Sequence, residues 1–441
     1  MKTHDYVGRD VDLSNGTSMH VRPEALVYAA DAVEQLPDLA AQAVGGSDKR
    51  AGVLMDVRTQ PVAGDAVAAA MRDAGWAVDV VLVPDPAPGK DPVCDEATRD
   101  AILPKLAEAI LLVPVGGGVM NDLAKLVALE SGAEVIVFAT AASMNGYASA
   151  NIAVAVDGVK TVRYGRAVYG VVSSPQVLAE APWELTASGL GDVLAKSVSS
   201  ADWRLNHLLL GEAYLPECVE LVAEIEPLYF QNPAALPARD PAALAALFDA
   251  LQLTGVAMTL AGTSAPASGG EHLISHSLDM LASIGRGEHD YHGRQVGVGT
   301  AIAAEVYARV LSVESLQPGQ PKRAPCPDTW GPLAKKVGRQ LADKQGKLAD
   351  VAEAVTHSDT WDMLREELAP MCRPSRAIRH CLREARAAVS AADIGTTDEQ
   401  LADVLLHADE IRSRVTCLDL AWLTGVLPEQ ADDIVHTAVG F

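Results

Sequence analysis

The stretch LLVPVGGGVMNDLAKLVALESGAEVIVFAT, residues 111–140, contains the strand–helix–strand pattern from which the fold can be inferred. Two short apolar runs, residues 111–115 and 134–140, flank a helical pattern that begins directly after three glycines. The same alternation occurs upstream, where strand-like runs at residues 50–59 and 76–85 enclose a helical pattern. Strands that alternate with helices predict a parallel sheet with right-handed crossovers.

The pattern changes at about residue 175. A last strand is predicted over residues 168–174, and a loop over residues 141–154. Beyond residue 175 the chain is dominated by Ala/Leu-rich helical patterns with few β-branched runs. We therefore predict an α/β domain with a Rossmann-like parallel sheet (residues 1–175) and an all-α domain (residues 176–441), with the functional site in the cleft between them. The Pro-rich stretch 317–332 is expected to be a loop or small insertion.

Composition restricts the class of protein. The chain has 441 residues, 49% of them apolar and 21% charged, which is typical of a globular protein that folds in water. Its net charge of −23 argues against nucleic acid or an anionic membrane as a partner. The six cysteines form no CxxC pair, and neither a signal peptide nor a membrane-length apolar run is visible. We expect a reduced, cytoplasmic protein without membrane insertion.

The three glycines at residues 116–118 lie between a strand and a helix. Such a turn lets backbone N–H groups approach a pyrophosphate, whose charge the helix N-terminus favours. The segment is neither GxGxxG nor a Walker A sequence, and a purely steric role for the glycines stays open. Asp56, at the end of the first of these strands, is a candidate for a ribose hydroxyl or, equally, for a turn or helix cap.

The segment TAASMNGYAS, residues 140–149, again follows a strand. The hydroxyls of Thr140, Ser143 and Ser149 and the amide of Asn145 suit contacts with a polar ligand. Turns use the same residue types for their own hydrogen bonds, so both interpretations stay open.

Three histidines lie close together in SGGEHLISHSLDMLASIGRGEHDYHGRQVGVGT, residues 268–300. His272 and His276 are four residues apart and share a helical face, and His292 follows a Gly-rich loop. Two histidines on one face and a third returned by a turn suit a divalent metal, to which Asp192 is the best candidate for a carboxylate ligand. The alternative is that they are ordinary core or surface histidines.

Five segments in this order carry a resemblance to a known family: GGGVMNDLAK (116–125), TAASMNGYAS (140–149), GLGDVLAKSVSSADWRL (189–205), SGGEHLISHSLD (268–279) and HGRQVGVGT (292–300). Together they resemble the sn-glycerol-1-phosphate dehydrogenases, a branch of the superfamily of glycerol dehydrogenase, iron-containing alcohol dehydrogenases and 3-dehydroquinate synthase. The resemblance implies a dehydroquinate synthase-like fold.

The resemblance also implies site residues. The cofactor pyrophosphate is expected at Gly116, Gly117, Gly118, Val119 and Met120, and the nicotinamide side at Thr140, Ala141, Ala142, Ser143 and Ser149. Asp192, His272 and His292 are expected to bind one divalent metal, zinc in the first place, with nickel or iron as alternatives. His276 and Asp192 are the expected catalytic residues, and both contact the substrate together with Asn145.

The implied activity is the NAD- or NADP-dependent, metal-assisted reduction of dihydroxyacetone phosphate to sn-glycerol 1-phosphate, or action on a related polyol phosphate. Asp56 favours NAD, because a carboxylate repels a 2′-phosphate. A homodimer or larger oligomer and a role in phospholipid metabolism are also implied. Asn145 departs from the family, which commonly has Asp there. The alternatives are a sugar-phosphate cyclase of the dehydroquinate synthase type, a dehydrogenase for an unphosphorylated polyol, and a non-catalytic protein that keeps the fold.

Overall fold

The computed structural model describes residues 2–46, 48–87, 89–156, 159–221, 223, 225–314 and 324–440, the side chains of residues 159 and 160 excepted. Part of the Pro-rich stretch predicted as a loop or insertion, residues 317–323, lies outside the described residues. Its remainder contains a short helix, Pro327–Trp330.

Ten strands occur in the described chain: β1 (Asp10–Asp12), β2 (Ser18–His20), β3 (Ala25–Tyr28), β4 (Arg50–Met55), β5 (Ala77–Leu82), β6 (Leu111–Gly116), β7 (Glu134–Ala139), β8 (Asn151–Val156), β9 (Val159–Tyr164) and β10 (Gly170–Ser173). Six of them form one sheet in the order β3-β10-β7-β6-β4-β5, and every neighbouring pair is parallel. The predicted parallel sheet is therefore confirmed.

Nineteen helices are described: α1 (Ala32–Val44), α2 (Asp65–Asp73), α3 (Glu96–Ile102), α4 (Gly118–Ser131), α5 (Pro175–Glu180), α6 (Trp183–Leu194), α7 (Lys196–Leu210), α8 (Pro216–Glu220), α9 (Glu226–Phe230), α10 (Pro241–Ala261), α11 (Gly270–Ser283), α12 (His292–Leu311), α13 (Pro327–Trp330), α14 (Ala334–Ala354), α15 (Ser358–Leu368), α16 (Ser375–Glu384), α17 (Asp398–His407), α18 (Cys417–Leu423) and α19 (Ala431–Val439). All described elements after β10 are helical, as the sequence predicts.

The core of the sheet follows from its apolar strands. β4 and β6 are almost fully buried, and side chains such as Val53, Val113 and Phe138 pack with α1 and α2. A parallel sheet covered by helices on its faces needs such continuous apolar strands.

One element differs from the sequence prediction. The prediction of a loop over residues 141–154 is wrong in its last part, because β8 and β9 pair as an antiparallel hairpin from Asn151↔Tyr164 to Val156↔Val159. Alternating residues of β8 are buried, Ile152 and Val154 completely, which is the period of a strand with one face in the core.

The chain divides into two compact units. Unit 1 comprises Met1–Gly189 and Glu220–Thr263, and unit 2 comprises Leu190–Val219 and Ser264–Phe441. This grouping differs from the single boundary predicted between residues 175 and 176. The physical reason is α10, whose residue Phe248 packs against Tyr28 and Tyr147 of unit 1, and whose Asp249 accepts a hydrogen bond from the backbone N–H of Thr3.

By length and composition, α10 is also the one described helix apolar enough to cross a membrane. Its most apolar window is 89% buried inside the protein. A long, apolar helix that is covered by protein on nearly all sides is typical of a core helix.

Candidate metal centre and dinucleotide site

Three helices of unit 2 bring Asp192, His272 and His292 together. Asp192 lies in the last turn of α6, His272 in the first turn of α11, and His292 is the first residue of α12. One ligand atom from each residue lies within 4.8 Å of those of the other two. The His272 Nε2 and Asp192 Oδ1 atoms are 3.5 Å apart. The structure thus assembles the three residues expected to bind metal, which are 80 and 20 positions apart in the chain.

The chemistry and spacing of these atoms fit a divalent metal. Two imidazole nitrogens and one carboxylate oxygen are a ligand set known from catalytic zinc sites, where a fourth position stays open. At metal–ligand distances of about 2.0 Å, two ligands of a tetrahedral ion lie about 3.3 Å apart. The 3.5 Å between His272 Nε2 and Asp192 Oδ1 is close to this separation.

Glycines allow the helices to approach closely enough for this arrangement. A Cβ on Gly191 would lie 1.9 Å from the backbone oxygen of Gly293, and one on Gly299 would lie 2.7 Å from the backbone oxygen of Glu271. The backbone of α12 is therefore in direct contact with α6 and α11. Asp192 is the residue after Gly191, and His292 is the residue before Gly293, so the contact between these two glycines brings both side chains close together.

The site is rich in negative charge, and two of its three residues, Asp192 and His272, are buried, whereas His292 is half-buried. The His272 side chain lies between Asp192 and Glu271, and Nδ1 is 2.8 Å from the Glu271 Oε1 atom. Burial lowers the pKa of His272, but hydrogen bonds and charge from the two carboxylates more than offset it and raise the pKa to about 9. The same negative field that attracts a proton also attracts a cation.

His276 lies beside this set but is not one of its three residues. Its ring is stacked on that of His292, with centroids 5.4 Å apart and an interplanar angle of 15°. The centroid distance to His272 is 5.8 Å, and only 8% of the residue is exposed.

Three polar residues around the histidines were not among the predicted site residues. Glu271, Ser275 and Gln295 are each 0% exposed and contact a histidine directly or through one another. A carboxylate next to a histidine in a GEH sequence could have suggested Glu271. Ser275 and Gln295 are recognisable only once α11 and α12 lie side by side.

The predicted cofactor residues lie in unit 1, at the carboxyl edge of its sheet. Asp56 follows β4, and Gly116 ends the neighbouring strand β6. β5 lies on one side of β4 and β6 on the other, so the strand order reverses between β4 and β6. In open α/β sheets, ligands bind at such a reversal, outside the carboxyl ends of the strands.

The three glycines leave little room for side chains. A Cβ on Gly116 would lie 2.6 Å from the Met120 Cγ atom and 3.5 Å from the Thr59 Cγ2 atom. Gly117 is the N-cap of α4, whose first turn contains Gly118, Val119 and Met120. The N-terminus of this 14-residue helix, approached by bare backbone, fits the pyrophosphate of a dinucleotide.

Asp56 has contacts that correspond to the turn role left open above. Its carboxylate accepts hydrogen bonds from the backbone N–H groups of Arg58 and Thr59 at 2.9 and 2.8 Å. The Arg58 guanidinium contacts the Asp56, Asp85 and Asp91 carboxylates at 2.9, 2.6 and 3.2 Å. This end of β4 therefore presents three carboxylates around one cation.

The loop after β7 is held by polar contacts within unit 1. The buried Lys125 Nζ donates to the backbone oxygens of Gly146, Ser149 and Asn151 at 3.1, 3.1 and 2.6 Å.

The residues expected near the nicotinamide are all buried: Thr140, Ala141, Ala142, Ser143 and Ser149. Ser143 Oγ is 3.1 Å from the Tyr147 hydroxyl, and Ser149 Oγ accepts from the Asn151 N–H. Asn145 is half-buried in the same loop.

Comparisons with known proteins give a consistent result. The family model for iron-containing alcohol dehydrogenases matches residues 27–182. Curated proteins named glycerol-1-phosphate dehydrogenase [NAD(P)+] are similar to this chain. The protein from Bacillus velezensis is 32% identical over 60% of this chain and 67% of its own length. That from Bacillus licheniformis is 27% identical over 94% and 92%, and that from Methanothrix thermoacetophila is 34% identical over 57% and 69%.

Solved structures agree on the fold. The NADH-dependent butanol dehydrogenase A of Thermotoga maritima superposes with a TM-score of 0.60 at 15% identity, over 96% of this chain and 98% of its own. An iron-containing alcohol dehydrogenase of Corynebacterium glutamicum gives a TM-score of 0.58 at 15% identity, over 96% and 98%. The predicted fold class, an α/β part followed by a helical part, is confirmed.

Proposed function

Because this chain belongs to the glycerol-1-phosphate dehydrogenase family, we propose that it is an NAD(P)-dependent, metal-assisted dehydrogenase that reduces dihydroxyacetone phosphate to sn-glycerol 1-phosphate. Similarity to relatives of that name supports the substrate class, a small polyol phosphate. The observation in the chain itself that carries the proposal is the meeting of Asp192, His272 and His292 in one group, of which the first two are buried and His292 is half-buried.

Asp192, His272 and His292 would hold the metal. A divalent ion bound there supplies a Lewis acid, which polarises a carbonyl oxygen and stabilises the alkoxide that develops on it. Zinc is the first candidate, because two histidines and one carboxylate with an open fourth position suit it. Nickel and iron are the alternatives that reconstitution with each metal would distinguish.

His276 would be the proton donor, acting directly or through one water. Its ring is stacked on His292, next to the proposed ligands, so the imidazole would lie close to a group bound there. General acid catalysis requires a donor within hydrogen-bond reach of the reacting oxygen.

The dinucleotide would bind at the carboxyl edge of the unit 1 sheet. Gly116–Met120 would bind its pyrophosphate through backbone N–H groups, and the loop residues Thr140–Ser143 and Ser149 would line the nicotinamide side. Asn145 would contact the substrate. An amide recognises hydroxyl groups by hydrogen bonding but takes up no proton, which leaves proton transfer to His276.

The test is NADH and NADPH oxidation with dihydroxyacetone phosphate after chelator treatment, with zinc, nickel or iron added back. We expect turnover only with metal, one cofactor oxidised per product, and sn-glycerol 1-phosphate as the product. Product formation without net consumption of cofactor would indicate a cyclase. Turnover of dihydroxyacetone but not of dihydroxyacetone phosphate would indicate a dehydrogenase for an unphosphorylated polyol. Size measurement in solution would test the homodimer proposed from the resemblance, and cell fractionation the cytoplasmic location.

A further inference from the structure

The two proposed histidine ligands are each contacted at Nδ1 by a buried polar side chain. His272 Nε2 is the atom 3.5 Å from Asp192, whereas its Nδ1 is 2.8 Å from the Glu271 carboxylate. On His292, Nδ1 is 3.2 Å from the Ser275 hydroxyl. In both rings, Nδ1 is therefore occupied by a polar side chain and Nε2 is the nitrogen that would bind the metal.

The Glu271 contact determines which nitrogen of His272 carries the proton. A carboxylate accepts hydrogen bonds, so the neutral imidazole that contacts it carries its proton on Nδ1. The Nε2 lone pair is then directed toward Asp192. Glu271 Oε1 also accepts the backbone N–H of Gly269 at 2.7 Å, which fixes the carboxylate at the start of α11.

The Ser275 contact likewise determines which nitrogen of His292 carries the proton, through a hydrogen bond from Ser275 to Gln295. The Ser275 hydroxyl donates to Gln295 Oε1 at 3.0 Å, so its oxygen is left to accept from His292 Nδ1. His292 therefore also carries its proton on Nδ1 and offers Nε2. Ser275 is on α11 and Gln295 on α12, and both are completely buried.

We propose that Glu271 and the Ser275–Gln295 pair are positioning residues of the metal centre, which hold His272 and His292 as Nε2 ligands. This inference rests on the metal site of the proposed function. A histidine ligand typically donates its second N–H to such a partner, which orients the ring and raises its basicity. Loss of the partner typically weakens metal binding by about ten- to a hundredfold.

The competing explanation for Glu271 is structural. An acidic residue in the first turn of a helix that accepts a backbone N–H stabilises the helix without any role toward a metal. Asp419 provides a matched control, because this buried carboxylate in the first turn of α18 accepts the backbone N–H of Thr416 and has no hydrogen bond or ion pair with Glu271 or the three proposed ligands among the described residues.

The experiment is cobalt(II) binding to the full chain, by competition with a chromophoric chelator and by the visible absorption of the bound ion. We expect Glu271→Gln, which keeps an acceptor but loses the charge, to weaken binding about tenfold and Glu271→Ala to approach a hundredfold. Ser275→Ala should also weaken binding and change the cobalt spectrum. Asp419→Asn, which loses the charge that pairs with Lys344, should lower the thermal midpoint and leave cobalt affinity and spectrum as in the wild type.

The outcomes are distinguishable. Glu271→Gln and Ser275→Ala with wild-type affinity and spectrum would overturn the inference, whatever their thermal midpoints, and leave the proposed function intact. Glu271→Gln decides the case if Glu271→Ala does not fold. Wild-type protein that binds no cobalt, zinc or nickel would overturn both the inference and the metal site on which it rests.

Discussion

At the scale of single residues, the proposed chemistry depends on the donor set Asp192, His272 and His292. Replacing His292 by Ala removes one of three ligand atoms that lie within 4.8 Å of one another. We expect turnover to fall by on the order of a thousandfold or more, because the Lewis acid contributes several kcal/mol to the barrier. Metal content measured by mass spectrometry should fall in parallel, while circular dichroism keeps its helical signal. His289→Ala is the control, because His289 is a histidine near His292 in the chain whose side chain is exposed. Full turnover of metal-free His292→Ala would refute the assignment.

Asp202 gives unit 2 a pH-dependent stability. Burial and then the charge of Glu271 raise the pKa of Asp202 to about 7, while Tyr307 and Cys417, which face it, have raised pKa values and stay protonated. The folded state therefore binds a proton that the unfolded chain releases above about pH 4. Between about pH 4 and 7 this raised pKa reduces stability as pH rises, and the loss is complete above pH 7.

Asp202→Asn should remove this slope. We expect the difference in unfolding free energy between wild type and variant to decrease by on the order of a few kcal/mol from pH 4 to pH 7. Denaturant titrations at several pH values measure it. A difference that does not change with pH would mean that Asp202 is ionised throughout this range in the folded protein.

At the scale of helices, the contact of α6 with α12 requires Gly191. A Cβ there would lie 1.9 Å from the Gly293 backbone oxygen, so Gly191→Ala must push the two helices apart. We expect a loss of about 1–3 kcal/mol in unfolding free energy from overpacking, and weaker metal binding because Asp192 moves away from His292. Gly346→Ala, where a Cβ on α14 meets nothing within 4 Å, should instead be neutral or stabilising. Equal effects of the two substitutions on metal binding would contradict this explanation.

Regular elements were predictable where their pattern is local. The apolar strands and the glycines after β6 identified the parallel sheet, because strand and helix periods are visible within a few residues. The β8–β9 hairpin was missed although β8 alternates and the two segments flank Asp157-Gly158, a dipeptide typical of tight hairpin turns. That turn itself lies outside the described residues, but the signal was present in the sequence.

The metal centre was predictable only in part. His272 and His276 share a helical face by spacing, but spacing alone does not separate a ligand from its neighbour. Asp192 joins them across eighty residues through glycine contacts that no local pattern reveals. Only the family resemblance selected the set Asp192, His272 and His292. The buried partners Glu271, Ser275 and Gln295 needed the packed helices.

At the scale of the whole molecule, charge should influence the choice of cofactor. The chain carries a net charge of −23, and Asp56, Asp85 and Asp91 surround Arg58 at the end of β4. A 2′-phosphate near this edge would meet three carboxylates for one cation. We therefore expect kcat/KM for NADH to exceed that for NADPH by about tenfold or more at low salt.

Salt provides the check on this electrostatic cause. Raising ionic strength from about 0.01 to 0.5 M shortens the Debye length several-fold. We expect this to reduce the ratio of kcat/KM for NADH to kcat/KM for NADPH. Asp85→Asn should narrow it at low salt, because one of the carboxylates loses its charge. A preference for NADH over NADPH that does not respond to salt or to Asp85→Asn would mean that steric exclusion of the 2′-phosphate, rather than charge, determines the choice of cofactor.

The discontinuous course of the chain has a consequence for synthesis on the ribosome. Unit 1 is complete once Thr263 has been made, and at that moment neither His272 nor His292 exists. Unit 1 can therefore collapse around α10 at a time when Asp192 has been made but His272 and His292 have not. Metal capture is necessarily a late event in the life of each nascent chain, and a chain that stalls before residue 292 is released without a complete metal site.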